Sequence, residues 1–138
     1  MDVAEARALF AQARVARLAT VDAEGRPHLV PIAFALDGDE IVSAVDHKPK
    51  RTMRLRRLAN IEANPRVSVL ADHYEDDWSG LWWARADGTA RIVEPGAEEH
   101  ERAVSKLAAR YPQYSERRPS DSVIVVSVSR WSGWRAAR

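Results

Sequence analysis

The sequence predicts a mainly β protein, an antiparallel barrel with α-helices at its periphery. About six strands are separated by short turns, and no regular alternation of strand and helix runs along the 138 residues. Helical periodicity is confined to a segment at the N-terminus and to segments between strands. The chain has the length of one domain and shows neither a linker nor an internal repeat, so we expect residues 1–138 to form a single domain.

The N-terminal third of the chain predicts one helix followed by three sequential antiparallel strands. Val3, Leu9 and Phe10 stand at helical spacing, which indicates an amphipathic helix over residues 3–14. Turn clusters separate the apolar segments that follow, and one of them contains Asp37-Gly38, a pair that tolerates positive φ angles. The three predicted strands are residues 15–21, 28–36 and 40–45.

Two more helices and three more strands are predicted in the rest of the chain. The first helix ends at Asn64-Pro65, and its expected apolar side consists of Leu55, Leu58, Ala59 and Ile61. The second helix spans residues 97–111 and ends before Pro112. A bulge or corner is expected at Asp87-Gly88. Alternating apolar residues indicate strands at 67–71, 81–93 and 123–131.

Composition and charge are those of an ordinary soluble globular protein. Lys and Arg total 21 against 20 Asp and Glu, so the net charge of +1 exerts little pull on nucleic acid. There is no cysteine, which excludes disulfides, thiolate catalysis and thiolate metal ligands. No apolar run has the length of a signal-peptide core or a membrane span. We therefore expect a cytoplasmic protein with neither nucleic-acid nor membrane partners.

The sequence contains no recognisable catalytic constellation, and no catalytic residue is assigned. The histidines lack the paired spacing of a metal site, so we expect no metal. A nucleophile elbow, a P-loop and a dinucleotide-binding glycine fingerprint are all missing from the sequence. If the protein is an enzyme, a bound cofactor therefore supplies the chemistry.

The most cationic segment is DHKPKRTMRLRR, residues 46–57, with six cationic side chains and no acid after its first residue. It has three interpretations: a solvated helix face, a nucleic-acid surface that the near-neutral net charge disfavours, or an anion site. The third places Lys48, Lys50 and Arg51 where a helix begins, and free backbone N–H groups there already favour a phosphate or carboxylate. Pro49 stiffens the approach, and Thr52 adds a hydroxyl donor.

Three tryptophans, Trp78, Trp82 and Trp83, stand within six residues. The adjacent Trp82 and Trp83 point to opposite faces of a strand, so at most one of them enters the barrel core. The other needs a partner, either a subunit interface or a flat heterocyclic ligand. Both explanations apply if a ligand lies at the interface between the two subunits of a dimer.

Motifs from most of the chain converge on one family. They are ATVDAEGRPHLVPIAF, VDHKPKRT, NIEANPRVSVL, DDWSGLWWARADGTA and the closing RWSGW. Together they resemble the split β-barrel flavin and deazaflavin oxidoreductases, the pyridoxamine-phosphate-oxidase-like or PPOX-class proteins. More narrowly, KPKRT and LWWARADG are similar to the actinobacterial F420-dependent branch.

The resemblance implies a split β-barrel of the FMN-binding type and a homodimer with two equivalent sites at the subunit interface. Each site would hold coenzyme F420, which has a deazaflavin ring, a phosphate and an oligoglutamate tail. The residues that hold the phosphate or the tail would be Lys48, Lys50 and Arg51, with Pro49 and Thr52 beside them. The ring would lie against Val30, Pro31 and Ile32, and Trp82 or Trp83 of the partner subunit would close the pocket.

The implied activity is hydride transfer between C5 of the deazaflavin and an electron-poor small organic substrate. Such a reaction needs close approach and exclusion of water more than a protein nucleophile. The candidate proton donors are His28, His47 and solvent. Two alternatives stay open: an FMN-dependent oxidase or reductase, and a flavin or deazaflavin binding protein without turnover. Arg54 and Arg57 favour F420, because its tail carries several carboxylates whereas FMN ends in one phosphate.

Overall fold

The computed structural model describes residues 1–45 and 51–137, with the side chains of 51–55 left out. Within this part, the helices are α1 (Val3–Gln12), α2 (Arg51–Ala63), α3 (Glu98–Arg110) and α4 (Pro112–Glu116). The strands are β1 (Ala16–Val21), β2 (Pro27–Ile32), β3 (Ala35–Asp37), β4 (Glu40–Ala44), β5 (Arg66–His73), β6 (Trp82–Val93) and β7 (Val123–Arg135). A short 3-10 turn at Trp78–Gly80 lies between β5 and β6.

The strands form one antiparallel sheet in the order β2-β1-β5-β6-β7-β4-β3. The two end strands, β2 and β3, are consecutive in the chain, and only Ala33 and Phe34 separate them. The sheet must therefore curl until its first and last strands meet end to end, as in a split barrel. The predicted antiparallel β-barrel with peripheral helices is confirmed.

The predicted continuous strand over residues 28–36 is wrong, so the three strands are not one sequential set. The antiparallel β1–β2 pair and the hairpin at Asp37-Gly38 are confirmed, but they lie at opposite edges of the sheet. The chain breaks at Ala33-Phe34, where the Phe34 side chain turns into the core and is fully buried. Groups at the end of α3 satisfy the backbone there: the Phe34 N–H donates to the Tyr111 hydroxyl at 3.1 Å, and Arg110 donates to the Phe34 carbonyl at 2.8 Å. As a result, β3 pairs with β4 at the far edge of the sheet.

The barrel interior is filled from both ends by helices. Phe10 of α1 packs edge-on against Trp131 of β7, with ring centroids 5.2 Å apart. Leu58 and Ile61 of α2 are buried in the same cluster. α3 instead packs on the outside of the sheet, where its apolar side covers β4 and the first half of β7.

The bulge in β6 was predicted correctly. The register between β6 and β7 shifts at Asp87/Gly88, and a Cβ on Gly88 would overlap the Ser127 carbonyl group. Beyond the bulge, β7 continues to Arg135, four residues past the predicted strand end at Trp131, because it stays paired with the first half of β6.

In the described part of the chain, no helix has both the length and the apolar character needed to cross a membrane.

Candidate cofactor site

One half of the outer sheet surface has no described helix packed on it. The strand register arranges its outward residues in three rows across β2, β1, β5, β6 and β7, and we call this surface the bare face. Its rows are Pro31, Arg17, Leu70, Arg85 and Ser132; Leu29, Ala19, Ser68, Asp87 and Arg130; and Asp72, Trp83 and Trp134.

The bare face combines exposed apolar side chains with charges that are mostly paired, Arg130 being the exception among the described residues. Leu29 is 66% exposed and Trp134 is 48% exposed. Arg17 donates to Asp72 at 3.1 Å, which neutralises both groups. Surfaces of this kind are suited to being covered, because covering them buries apolar area while most of their charges are already paired.

A second paired cluster lies towards β6. Asp87 accepts hydrogen bonds from Arg85 at 3.0 Å and from the Ser68 hydroxyl at 2.5 Å. The Arg85 guanidinium also lies over the Trp83 ring, 5.7 Å from its centroid. These contacts hold Trp83 against the sheet, so it presents a flat aromatic surface.

The three predicted ring-contact residues of β2 differ in what they expose. The Ile32 side chain is 5% exposed in the barrel core, and Val30 is half-buried against the same core. Pro31 is exposed on the bare face. Since β2 pairs only with β1 among the described strands, its other backbone edge is open. The structure thus offers a flat ligand the Pro31 ring and the strand edge, with Ile32 available through its backbone only.

Trp82 and Trp83 lie on opposite faces of β6, as strand alternation requires. Trp83 belongs to the bare face, whereas Trp82 is half-buried against the barrel core and stacks on His73 with ring centroids 6.5 Å apart. Trp83 is therefore the one that shares a surface with Pro31.

A single chain does not bring Trp83 and Pro31 together. Their strands, β6 and β2, are three positions apart in the sheet, which corresponds to about 14 Å at the usual strand spacing. A ligand lying on Pro31 would have to extend across β1 and β5 to contact Trp83 of the same chain.

The predicted anion site falls largely outside the described residues. This holds for Lys48, Pro49 and Lys50 entirely, and for the side chains of Arg51 and Thr52. The backbone does locate the junction, since β4 ends at Ala44 and α2 begins at Arg51. The role of these five residues stays a prediction.

A groove that the sequence did not reveal separates the β1–β2 turn from the second half of α2. It has a volume of about 650 Å³, and its lining includes Arg26, His28, Arg56, Ala59 and Asn60. Ala59 was predicted to be buried but is exposed here. Asn60 is buried in its place and donates to the Thr20 hydroxyl of β1 at 3.0 Å. In the sequence, this groove is indicated by two small residues one turn apart on α2, Ala59 and Ala63.

Of the candidate proton donors, His28 lines this groove and His47 lies outside the described residues. The buried Nδ1 of His28 has no hydrogen-bond partner among the residues that the structure describes. On the turn, the side-chain hydrogen bond from Arg26 holds the pKa of Asp22 below its ordinary value. The described residues contain no group of three or more histidines and carboxylates that could hold a metal ion.

Comparison with known sequences decides the family. The family model described as pyridoxamine 5'-phosphate oxidase matches residues 3–135. The chain belongs to the pyridoxamine 5'-phosphate oxidase family. The match includes β2, the start of α2 and the bare face, so every site residue predicted above lies inside the region shared with this oxidase family.

Solved structures show the same fold at low identity. A conserved hypothetical protein from Mycobacterium tuberculosis is 26% identical, with 98% of this chain and 85% of that chain covered and a TM-score of 0.72. A FAD-binding protein from Mesorhizobium loti is 22% identical over 99% and 96% of the two chains, with a TM-score of 0.72. A haem storage protein from Vibrio cholerae is 21% identical over 98% and 95%, with a TM-score of 0.71.

Proposed function

We propose that this member of the pyridoxamine 5'-phosphate oxidase family is a reductase that uses coenzyme F420 to reduce an electron-poor small organic molecule. The observation that carries the proposal is the open edge of β2 beside the bare face. There, Pro31 and a strand edge with no described partner offer a flat surface and backbone hydrogen bonds. Such a surface suits a cofactor that brings its own chemistry.

The position of α2 supports an anionic cofactor. The chain between the end of β4 at Ala44 and the start of α2 at Arg51 contains Lys48 and Lys50, and α2 adds four arginines against one glutamate. A helix start with this charge favours a phosphate group. The further arginines, which include Arg54 and Arg57, extend the positive charge beyond what one phosphate needs, and this favours the longer acidic arm of F420 over FMN.

The bare face supports a homodimer with two equivalent sites. Its exposed apolar side chains and paired charges suit an interface with a second copy of the chain. Covering the face in this way would allow Trp83 of one copy to contact β2 of the other. Each site would then consist of the β2 edge and the cations around α2 from one copy, closed by a tryptophan from its partner.

The residues present fit a planar ring with an acidic arm, and each has a distinct task. When bound, F420 would supply a hydride from C5 of its ring. Pro31 and the backbone of Val30 and Ile32 support one side of the ring, while Lys50 and Arg51 fix its arm, so the substrate can approach closely. Trp83 of the second copy excludes water from the site. His28, His47 or solvent returns a proton to the reduced substrate.

A turnover assay tests the proposal. The purified protein is mixed with reduced F420 and a panel of unsaturated ketones, lactones and quinones, and oxidation of the coenzyme is followed by absorbance. We expect oxidation above the protein-free rate with at least one class, and a loss of that rate in the Lys50→Ala/Arg51→Ala variant. Binding of F420 without turnover across the panel would favour the binding-protein alternative, and turnover with reduced FMN alone would favour the FMN-dependent one.

A further inference from the structure

The Arg110 side chain is a half-buried cation that no carboxylate of the described residues meets. Its guanidinium donates to the carbonyls of Phe34 at 2.8 Å and Ala11 at 3.0 Å, and also to the carbonyl of Ala13. It lies over the Phe34 ring, 4.6 Å from the centroid, and burial lowers the pKa of Arg110 below its ordinary value. Taking a cation out of water costs free energy, so these contacts indicate a specific task rather than packing alone.

The neighbouring Tyr111 hydroxyl serves the same stretch of chain. It accepts from the Phe34 N–H at 3.1 Å, and its proton is shared between the carbonyls of Phe34 at 2.8 Å and Arg14 at 3.0 Å. From β4, the Ser43 hydroxyl donates to the Ala33 carbonyl at 2.9 Å. Side chains from the end of α3 and from β4 thus replace the ladder partners that a continuous strand would supply between β2 and β3.

These contacts also tie the start of β1 to the end of β2. Besides Phe34, the side chains at the end of α3 bind carbonyls of residues 11–14, which lead from α1 into β1. At that end of the strand pair, Ala16 of β1 lies opposite Ile32 of β2. Since β1 is the one described partner of β2, the position of β2 depends on this pairing and on the anchored crossing. Pro31, the proposed ring contact, lies three residues before Phe34.

We propose that Arg110 and Tyr111 are positioning residues of the cofactor site. They act through the backbone: by fixing the crossing, they set the orientation of the end of β2, and with it the Pro31 ring and the open strand edge. Loss of their hydrogen bonds should therefore weaken ring binding more than loss of ordinary packing does. The inference rests on the proposed function for the identity of the ring, and on the hydrogen bonds alone for the control of β2.

Tyr111→Phe tests the inference with little damage to the core, because it removes one hydroxyl and keeps the aromatic ring. We expect F420 to bind about fivefold more weakly, as the loss of one hydrogen bond allows. In the cofactor-free protein, we expect amide hydrogen exchange in β2 to become faster relative to that in β5. Arg110→Lys should act in the same direction, since an ammonium group keeps the charge but lacks the planar fork that reaches several carbonyls at once.

Two variants serve as controls for stability and for charge. Val104 is buried on the same helix, so Val104→Ala should unfold at a lower denaturant concentration without altering the crossing. Arg117 is an exposed arginine beyond the crossing, and Arg117→Ala removes one positive charge. Both variants should bind F420 as the unmodified protein does.

Unchanged F420 affinity in Tyr111→Phe, or an equal loss of affinity in Val104→Ala, overturns the inference and leaves the proposed function standing. If the unmodified protein does not bind F420, the proposed function fails, and hydrogen exchange then decides the inference. Faster exchange in β2 than in β5 in Tyr111→Phe, but not in Val104→Ala, supports control of β2 by the crossing. Exchange that changes equally in both strands overturns it.

Discussion

Arg110 and Tyr111 hold the crossing from β2 to β3 in place. Arg110 donates to the carbonyls of Phe34 and Ala11, at 2.8 Å and 3.0 Å, and its guanidinium lies 4.6 Å from the centre of the Phe34 ring. These bonds replace the ladder partners that a continuous strand would have had. Because β2 provides the proposed ring contacts, the two residues at the end of α3 fix the backbone on which the site depends.

The most specific prediction at the residue scale concerns the cations at the start of α2. Each charge-assisted hydrogen bond to a phosphate or carboxylate is worth roughly 1.5 to 3 kcal/mol, so Lys50→Ala/Arg51→Ala should weaken cofactor binding by about 100-fold or more. Isothermal titration measures the change. Arg117→Ala should bind as the unmodified protein does, and unchanged affinity in the double variant would refute the anion site.

Among the elements, β6 shows how a bulge can depend on one glycine. In Gly88→Ala the new methyl group meets the Ser127 backbone of the neighbouring strand, which cannot move without disturbing the ladder, so we expect a loss of about 1 to 3 kcal/mol or more. In Gly80→Ala the methyl group meets only the end of the flexible Glu75 side chain, and the loss should be much smaller. Denaturant unfolding of both variants compares them, and equal losses would contradict the account.

The sequence predicts most elements well but not the ends of the sheet. Alternation at Val67, Val69 and Ala71 defines β5 because one face of that strand is fully buried. The break at Phe34 depends on Tyr111, which is 77 residues away, and no local pattern carries such a contact. The groove beside Ala59 was not predicted, for the same reason. An alanine on the apolar side of a helix is expected to be buried, and only the position of the neighbouring β1–β2 turn shows that it is not.

At the scale of the whole molecule, the bare face predicts a dimer. Leu29→Glu combined with Trp134→Glu places two charges on this face, and we expect the chain to become monomeric in sedimentation equilibrium while its fold persists, because both side chains are exposed. Trp78→Glu is the control, since Trp78 is 71% exposed but lies outside the bare face. A monomeric unmodified protein, or a double variant that still dimerises, would contradict the prediction.

In the proposed dimer, β2 of one copy and Trp83 of the other would contact one ligand. Cofactor affinity should therefore fall together with dimerisation. The FAD-binding and haem storage proteins that share the fold show that a split barrel alone does not fix the cofactor. The proposal of F420 rather than another cofactor rests on the cations of α2 and of the chain that leads into it.

A titration of the purified protein with F420 and, separately, with FMN tests the central claim most directly. The five tryptophans report binding through their fluorescence, with Trp83 expected to lie closest to the ring. We expect saturable quenching by F420 with a lower dissociation constant than for FMN. Submicromolar binding of FMN without any response to F420 would contradict it.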